Sequence, residues 1–114
     1  MYLSKDLVAA SAVPLVLSIL AEGPSYGYAI IKRVRELSGD EIQWSEGMLY
    51  PVLHRLEEQG HVESSWKEAE TGRRRRYYEV TASGRRELER QREQWNVVRR
   101  ALDRAWKPER KQER

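Results

Sequence analysis

The stretch S-E-G-M-L-Y-P-V-L-H-R-L-E-E-Q-G, Ser45 to Gly60, reads as one short helix with two unlike faces. Ser45 is suited to cap it, and Glu46 is favourable against the N-terminal dipole. Leu49, Val52, Leu53 and Leu56 recur at helical spacing and face inward. Gly47, Met48, Pro51, His54, Arg55 and Glu58 then share the opposite face, and Gly60 closes the helix. Pro51 has no N–H to donate, so it predicts a late start or a bend.

Upstream, Ser25 is a suitable N-cap for a second helix, Tyr26 to about Leu37, whose core stripe is Ile30, Ile31, Val34 and Leu37. Ser38-Gly39-Asp40 ends it, with Gly39 suited to the left-handed cap position. Before that, Leu7 to Leu20 forms a helix that is apolar on almost every side and so expects burial all round, which in a chain this short calls for a second subunit. Pro14 predicts a kink or a restart, and Glu22-Gly23-Pro24 a stop.

Downstream the period changes to two. Val62, Ser64 and Trp66 alternate with Glu63 and Ser65, a strand pattern. Lys67 to Gly72 reads as a turn, and Arg73 to Thr81 as a second strand with Tyr78 and Val80 inward. Strand alternation puts Arg73 and Arg75 on one side and Arg74 and Arg76 on the other. Thr81 or Ser83 caps a last long helix running to about Trp106. Its seam is Leu88, Gln91, Trp95, Val98, Leu102 and Ala105, a short heptad pattern with one polar member. Pro108 ends the helix, and the polar remainder to Arg114 is expected to be disordered.

Composition bounds the chemistry. With 114 residues the chain supports one domain, with a core small enough to lean on a partner. The absence of cysteine excludes a disulfide scaffold, a thiolate metal site and a thiol nucleophile, and two histidines do not make a multi-histidine site. No Gly-rich phosphate loop and no Ser/His/Asp arrangement can be placed, and Glu57-Glu58 continues a helix face, so an enzyme is not expected and no cofactor is implied. Leu7 to Ala21 is too short for a bilayer span, and Asp6 offsets Lys5 where a signal peptide needs net positive charge. The expectation is a soluble, cytoplasmic protein. The net charge of +3 hides an asymmetry: residues 1–70 hold 6 Lys/Arg against 11 Asp/Glu, residues 71–114 hold 15 against 7. A concentrated basic half suggests a local anionic partner, against the plainer reading of a solvated charged helix and tail.

Three helices, a basic hairpin and a long amphipathic helix describe a mainly α protein with a small β-hairpin. It reads as a winged helix-turn-helix over 1–81, a dimerisation helix over 82–107 and a charged tail over 108–114. A helix fits the B-DNA major groove and its solvent face must supply base contacts, while an arginine-tipped hairpin suits phosphates or a narrow minor groove. Double-stranded DNA is therefore the expected partner. A winged module that meets protein or RNA is the competing reading, and a basic rather than apolar wing argues against it. The candidate DNA residues are Ser45, Met48, Tyr50, Pro51, His54 and Arg55 on the third helix, with Ser25, Tyr26 and Lys32 on the second. Lys67, Arg73 and Arg74 are the candidates on the wing. For Tyr50, groove contact and packing on the second helix stand equal. Arg55 could instead pair with Glu58 or Gln59, and Ser25 could serve simply as a cap.

Ser45 to Gly60, together with P-S-Y-G-Y-A-I (Pro24 to Ile30) and G-R-R-R-R-Y-Y-E-V-T-A-S-G (Gly72 to Gly84), resembles the PadR family of bacterial transcriptional regulators. The likeness covers roughly residues 5 to 106 and is close to the family's shorter class with a single C-terminal helix. It implies a homodimer held by the first and last helices and binding a pseudo-palindromic operator as a ligand-responsive repressor, with Tyr26 on a phosphate. It also implies a small aromatic effector held between aromatic side chains at the dimer interface. On this chain Trp95 takes the matching kind of position, with Val8, Ala12 and Leu15 as the implied walls; with the seam residues Leu88, Val98 and Leu102 and with Arg99 these are the candidate dimer and possible effector-binding positions. Trp95 is first a dimer-core residue, and Arg99 one turn on would favour an acidic aromatic over a cationic one.

Overall fold

The computed structural model describes residues 1–107, so the tail expected to be disordered lies outside the described residues. In chain order the elements are α1 (Lys5–Glu22), β1 (Ser25–Tyr26), α2 (Gly27–Leu37), α3 (Glu46–Glu58), β2 (Val62–Glu68), β3 (Arg74–Val80) and α4 (Ala82–Ala105). This is a winged helix-turn-helix followed by a long C-terminal helix, as the periodicities imply.

Ser4 starts α1 by accepting from the Leu7 N–H at 3.2 Å. The helix then runs through Pro14 as one element, with no restart. Proline removes one hydrogen bond here, and the burial of Ala12, Val16, Leu17, Ile19 and Leu20 on the same helix holds both flanks together. Burial is nonetheless one-sided: Leu7 is exposed, and Val8, Val13 and Leu15 are half-buried.

Ser25 does not cap α2. With Tyr26 it forms β1, which pairs antiparallel with β3 through Ser25–Tyr78 and Tyr26–Tyr77. Tyr26 takes the N-cap position with extended backbone and no side-chain cap bond. A two-residue strand carries no alternation to read, so the hairpin expected from sequence is in fact a three-stranded sheet of order β1-β3-β2. In α2, Ile30 and Val34 are buried, but Leu37 is exposed at the last turn, off the core. Gly39 has the expected left-handed backbone, φ 60°.

α3 follows its reading closely. Ser45 Oγ accepts from the Met48 N–H at 3.2 Å, and Leu49, Val52, Leu53 and Leu56 are buried. The late start expected from Pro51 is not seen, since the helix begins at Glu46. The carbonyl that Pro51 leaves without an intrahelical donor belongs to Gly47, and both residues are exposed, where water serves it. In the hairpin, Tyr78 is fully buried with Val62 and Val80 beside it. The turn closes with the Ala69 N–H donating to the Arg73 carbonyl at 2.7 Å.

Thr81 Oγ1 accepts from the Gly84 N–H at 3.0 Å and donates to the Gly60 carbonyl at 2.7 Å, tying the start of α4 to the end of α3. Gly84 has to be glycine: a Cβ there would collide with the His61 carbonyl and lie 2.7 Å from a Val80 methyl. Leu88 is buried in the chain's own core, but beyond it α4 leaves the body, and the molecule measures 66 × 31 × 21 Å.

Candidate nucleic-acid interface

β1 stops at Tyr26, opposite Tyr77, and the chain turns into α2 at Gly27. Past that point the edge of β3 from Arg76 back to Arg74 has no strand partner on its β1 side. A concave cleft of about 470 Å³ opens there, between the start of α2, the start of α3 and the wing. Tyr26, Gly27, Tyr28, Glu46, Tyr50, Trp66 and Arg73 to Arg76 line it.

All four arginines reach this cleft, and the alternation expected of a strand still holds among them: Arg74 and Arg76 lie on the Trp66 side and Arg75 on the Tyr26 side. All can reach it because the cleft opens on a strand edge rather than a face, and long guanidinium side chains from both faces extend to it. Arg75 lies over the Tyr26 ring, 4.2 Å from its centroid, and Tyr26 meets Tyr77 edge to face at 5.3 Å. Arg74 and Arg76 flank Trp66 at 5.4 and 5.6 Å. These contacts hold the cations in place while leaving their N–H groups free for an anion. Arg76 is the most committed, pairing with Glu57 at 3.7 Å, and Glu57 also accepts from Ser64 Oγ at 2.6 Å. Arg73, Arg74 and Arg75 form no ion pair within the described residues. Tyr78 on the same strand does not line the cleft but is buried in the core, and that burial pushes its phenol up from its ordinary pKa.

Tyr50 packs on the second helix, one of the two readings weighed for it. It lines the cleft, and its phenol lies over Gly27, where a Cβ would come within 2.9 Å of Cζ and collide with the hydroxyl. Gly27 thus lets α2 approach α3. Of the other residues expected on this surface, Ser45 spends its hydroxyl on the cap, and Met48 is half-buried and packs against the core. Pro51, His54 and Arg55 are exposed along α3 outside the cleft. Ser25 is half-buried in β1, and Lys32 is exposed on α2 but does not line the cleft. Lys67 sits across from Arg75, with its ammonium 5.6 Å from the Tyr77 ring. Sequence reasoning missed Tyr28, Glu46, Trp66, Arg75 and Arg76 as cleft residues. For Trp66 the signal was present, an aromatic on a strand facing an arginine run.

The fold is shared by known proteins. The transcriptional regulator PadR-like family model matches residues 16–90, a span that includes α2, α3 and the wing. The chain belongs to the PadR-like family. A solved transcriptional regulator from Clostridium thermocellum is 31% identical with a TM-score of 0.82, covering 93% of this chain and 100% of that one. A PadR family transcriptional regulator from Eggerthella lenta is 34% identical with a TM-score of 0.76, covering 90% and 88%. The Escherichia coli transcriptional regulator YqjI is 32% identical over 84 residues, which is 74% of this chain and 39% of that protein. As a PadR-like chain it is a transcriptional regulator in family and in fold.

The second surface matched to the PadR resemblance is split. Trp95, Val98, Arg99 and Leu102 line a shallow groove of about 280 Å³ on α4, together with Asp103 and Trp106. Ala12 and Leu88 do not reach it, being buried in the chain's own core, and Val8 lines a separate hollow with Trp44 and the first three residues. Arg99 donates to Asn96 Oδ1 at 2.8 Å, and Asp103 lies in the same groove, so the positive bias expected from Arg99 alone is offset. Among the described residues no helix is long and apolar enough to cross a membrane.

Proposed function

We propose that this PadR-like chain is a homodimeric repressor that binds a pseudo-palindromic DNA operator. The observation that carries this is the pairing of α3 with the wing: one face of α3 is buried, and its other face and N-terminus stand beside a cleft that four arginines enter. The solvent face of α3 then reads the major groove, with Pro51, His54 and Arg55 outermost. Arg73 and Arg74 hold the adjacent backbone. The dimer forms through the apolar stripe of distal α4, where Val98 is 49%, Leu102 41% and Trp106 70% exposed in the single chain. A flat aromatic effector enters beside Trp95 at that interface, and with Asp103 one turn beyond Arg99 in the same groove it need not be acidic.

Selection of bound duplexes from a random pool at about 150 mM salt tests the reading, because phosphate attraction is then partly screened. The expected result is an inverted repeat with half-sites about one helical turn apart. Enrichment without a motif would leave a wing that grips backbone alone and would favour a protein- or RNA-binding module. Quenching of tryptophan emission by planar aromatics, lost in Trp95→Ala while dimerisation survives, tests the effector.

A further inference from the structure

The cleft contains one feature that a surface built solely to attract DNA would lack. Glu46 is the first residue of α3, is exposed, and lines the same cleft as Arg73 to Arg76. Among the described residues it forms no ion pair, although it shares the cleft with four arginines. A free carboxylate beside phosphates opposes binding to any duplex. The N-terminal residues of a recognition helix are also those that meet base edges.

We infer that Glu46 is a specificity-determining residue that accepts a hydrogen bond from the exocyclic amino group of a cytosine in each half-site; this rests on the DNA-reading function proposed above. The major-groove edges decide which base it is. Guanine shows two acceptors, and thymine an acceptor and a methyl group, so a carboxylate finds no donor on either. Adenine shows a donor beside the N7 acceptor, whose lone pair faces the second carboxylate oxygen. Cytosine shows a donor flanked on its own ring by C5–H, so a carboxylate that approaches from that side, away from the O6 acceptor of the paired guanine, meets no opposing acceptor. Glu46 therefore works in two directions. It weakens backbone-only binding at every site, and a cytosine edge relieves that penalty at the correct one. Tyr50, one turn further along α3, packs over Gly27 and holds the start of the helix at a set depth.

The test is duplex selection with the intact protein, its Glu46→Gln variant and its Glu46→Ala variant, scored by base frequency at every half-site position. Wild type should require cytosine at one symmetric position. Glu46→Gln should turn that preference to adenine, since a carboxamide offers the donor and acceptor that adenine N7 and N6 need. Glu46→Ala should lose discrimination there by about tenfold, leave other positions unchanged, and bind random DNA more tightly. Identical motifs from all three proteins would overturn the inference while leaving the operator-reading function intact. Failure of the wild type to select any motif would overturn both. The glutamine variant is nearly isosteric and keeps the Ser45 cap, so its motif decides the matter even where the alanine variant folds poorly.

Discussion

The two halves of α4 obey one sequence rule and meet opposite fates. Leu88, at the start of the seam, is 6% exposed; Val98 and Leu102, on the same stripe, are 49% and 41% exposed. The spacing is the same. What differs is the presence of α1 and the sheet beside the first turns and their absence beside the last. Heptad spacing thus announces that a face will be covered, not what will cover it. The cleft at the other end of the molecule shows the reverse. It is left open by charge, with guanidinium groups stacked on Tyr26 and Trp66 and supplied by a strand edge that β1 stops short of.

That contrast breaks most sharply at Leu88. Leu88→Ala should destabilise folding by about 2–5 kcal/mol, because it opens a cavity in a packed core. Leu102→Ala should cost the single chain much less, and chemical denaturation of both variants at one protein concentration makes the comparison. Next, Gly84→Ala sets a new Cβ against the His61 backbone, which cannot swing aside, and should cost about 1–3 kcal/mol. Gly27→Ala meets the far end of Tyr50 instead, so its thermal midpoint should fall less while the cleft changes shape. Leu102→Asp should act on association, weakening the dimer by about 2 kcal/mol or more with little change in helix content. Sedimentation across a concentration series reads it, and an unchanged dimer would move the interface off distal α4.

Smaller effects sharpen the charged end. Arg74→Ala should weaken binding to all duplexes alike and reduce the salt slope by about 1. An unchanged slope would remove Arg74 from the phosphate contacts. The smallest effect is the tie between α1 and α2, where Arg33 donates to both Glu22 oxygens at 3.2 and 3.0 Å. That hydrogen bond and the Arg33 charge hold the Glu22 carboxyl below its ordinary pKa. A carboxyl depressed in the folded state contributes stability that is present above its unfolded pKa and lost as pH falls through the folded value. Both groups are solvent-exposed, so Arg33→Ala should be only slightly less stable than wild type at neutral pH, and an acid titration should see that difference shrink through the carboxylate range and vanish below it.

Much of this was legible in residue order because it is local. The caps at Ser45 and Thr81, the buried face of α3 and the inward pair Tyr78 and Val80 depend on neighbours within a few positions, and spacing records those. Ser25 was misread because a hydroxyl before a helix is the usual mark of a cap, and its pairing with Tyr78 lies 53 positions away. The restart expected at Pro14 and the late start expected at Pro51 do not occur, because proline's local cost was weighed without the burial that outweighs it at Pro14 or the solvent exposure at Pro51.

By itself the sequence determined the elements, their order, the basic wing and the PadR resemblance, since periodicity, capping and charge are properties of short stretches. Tertiary structure alone decided that four arginines share one cleft, that Glu46 stands among them, and that Ala12 and Leu88 belong to the core rather than the α4 groove. Those facts depend on where a strand stops and which helices lie beside it. Such relations join residues distant in the chain, and no local pattern encodes them.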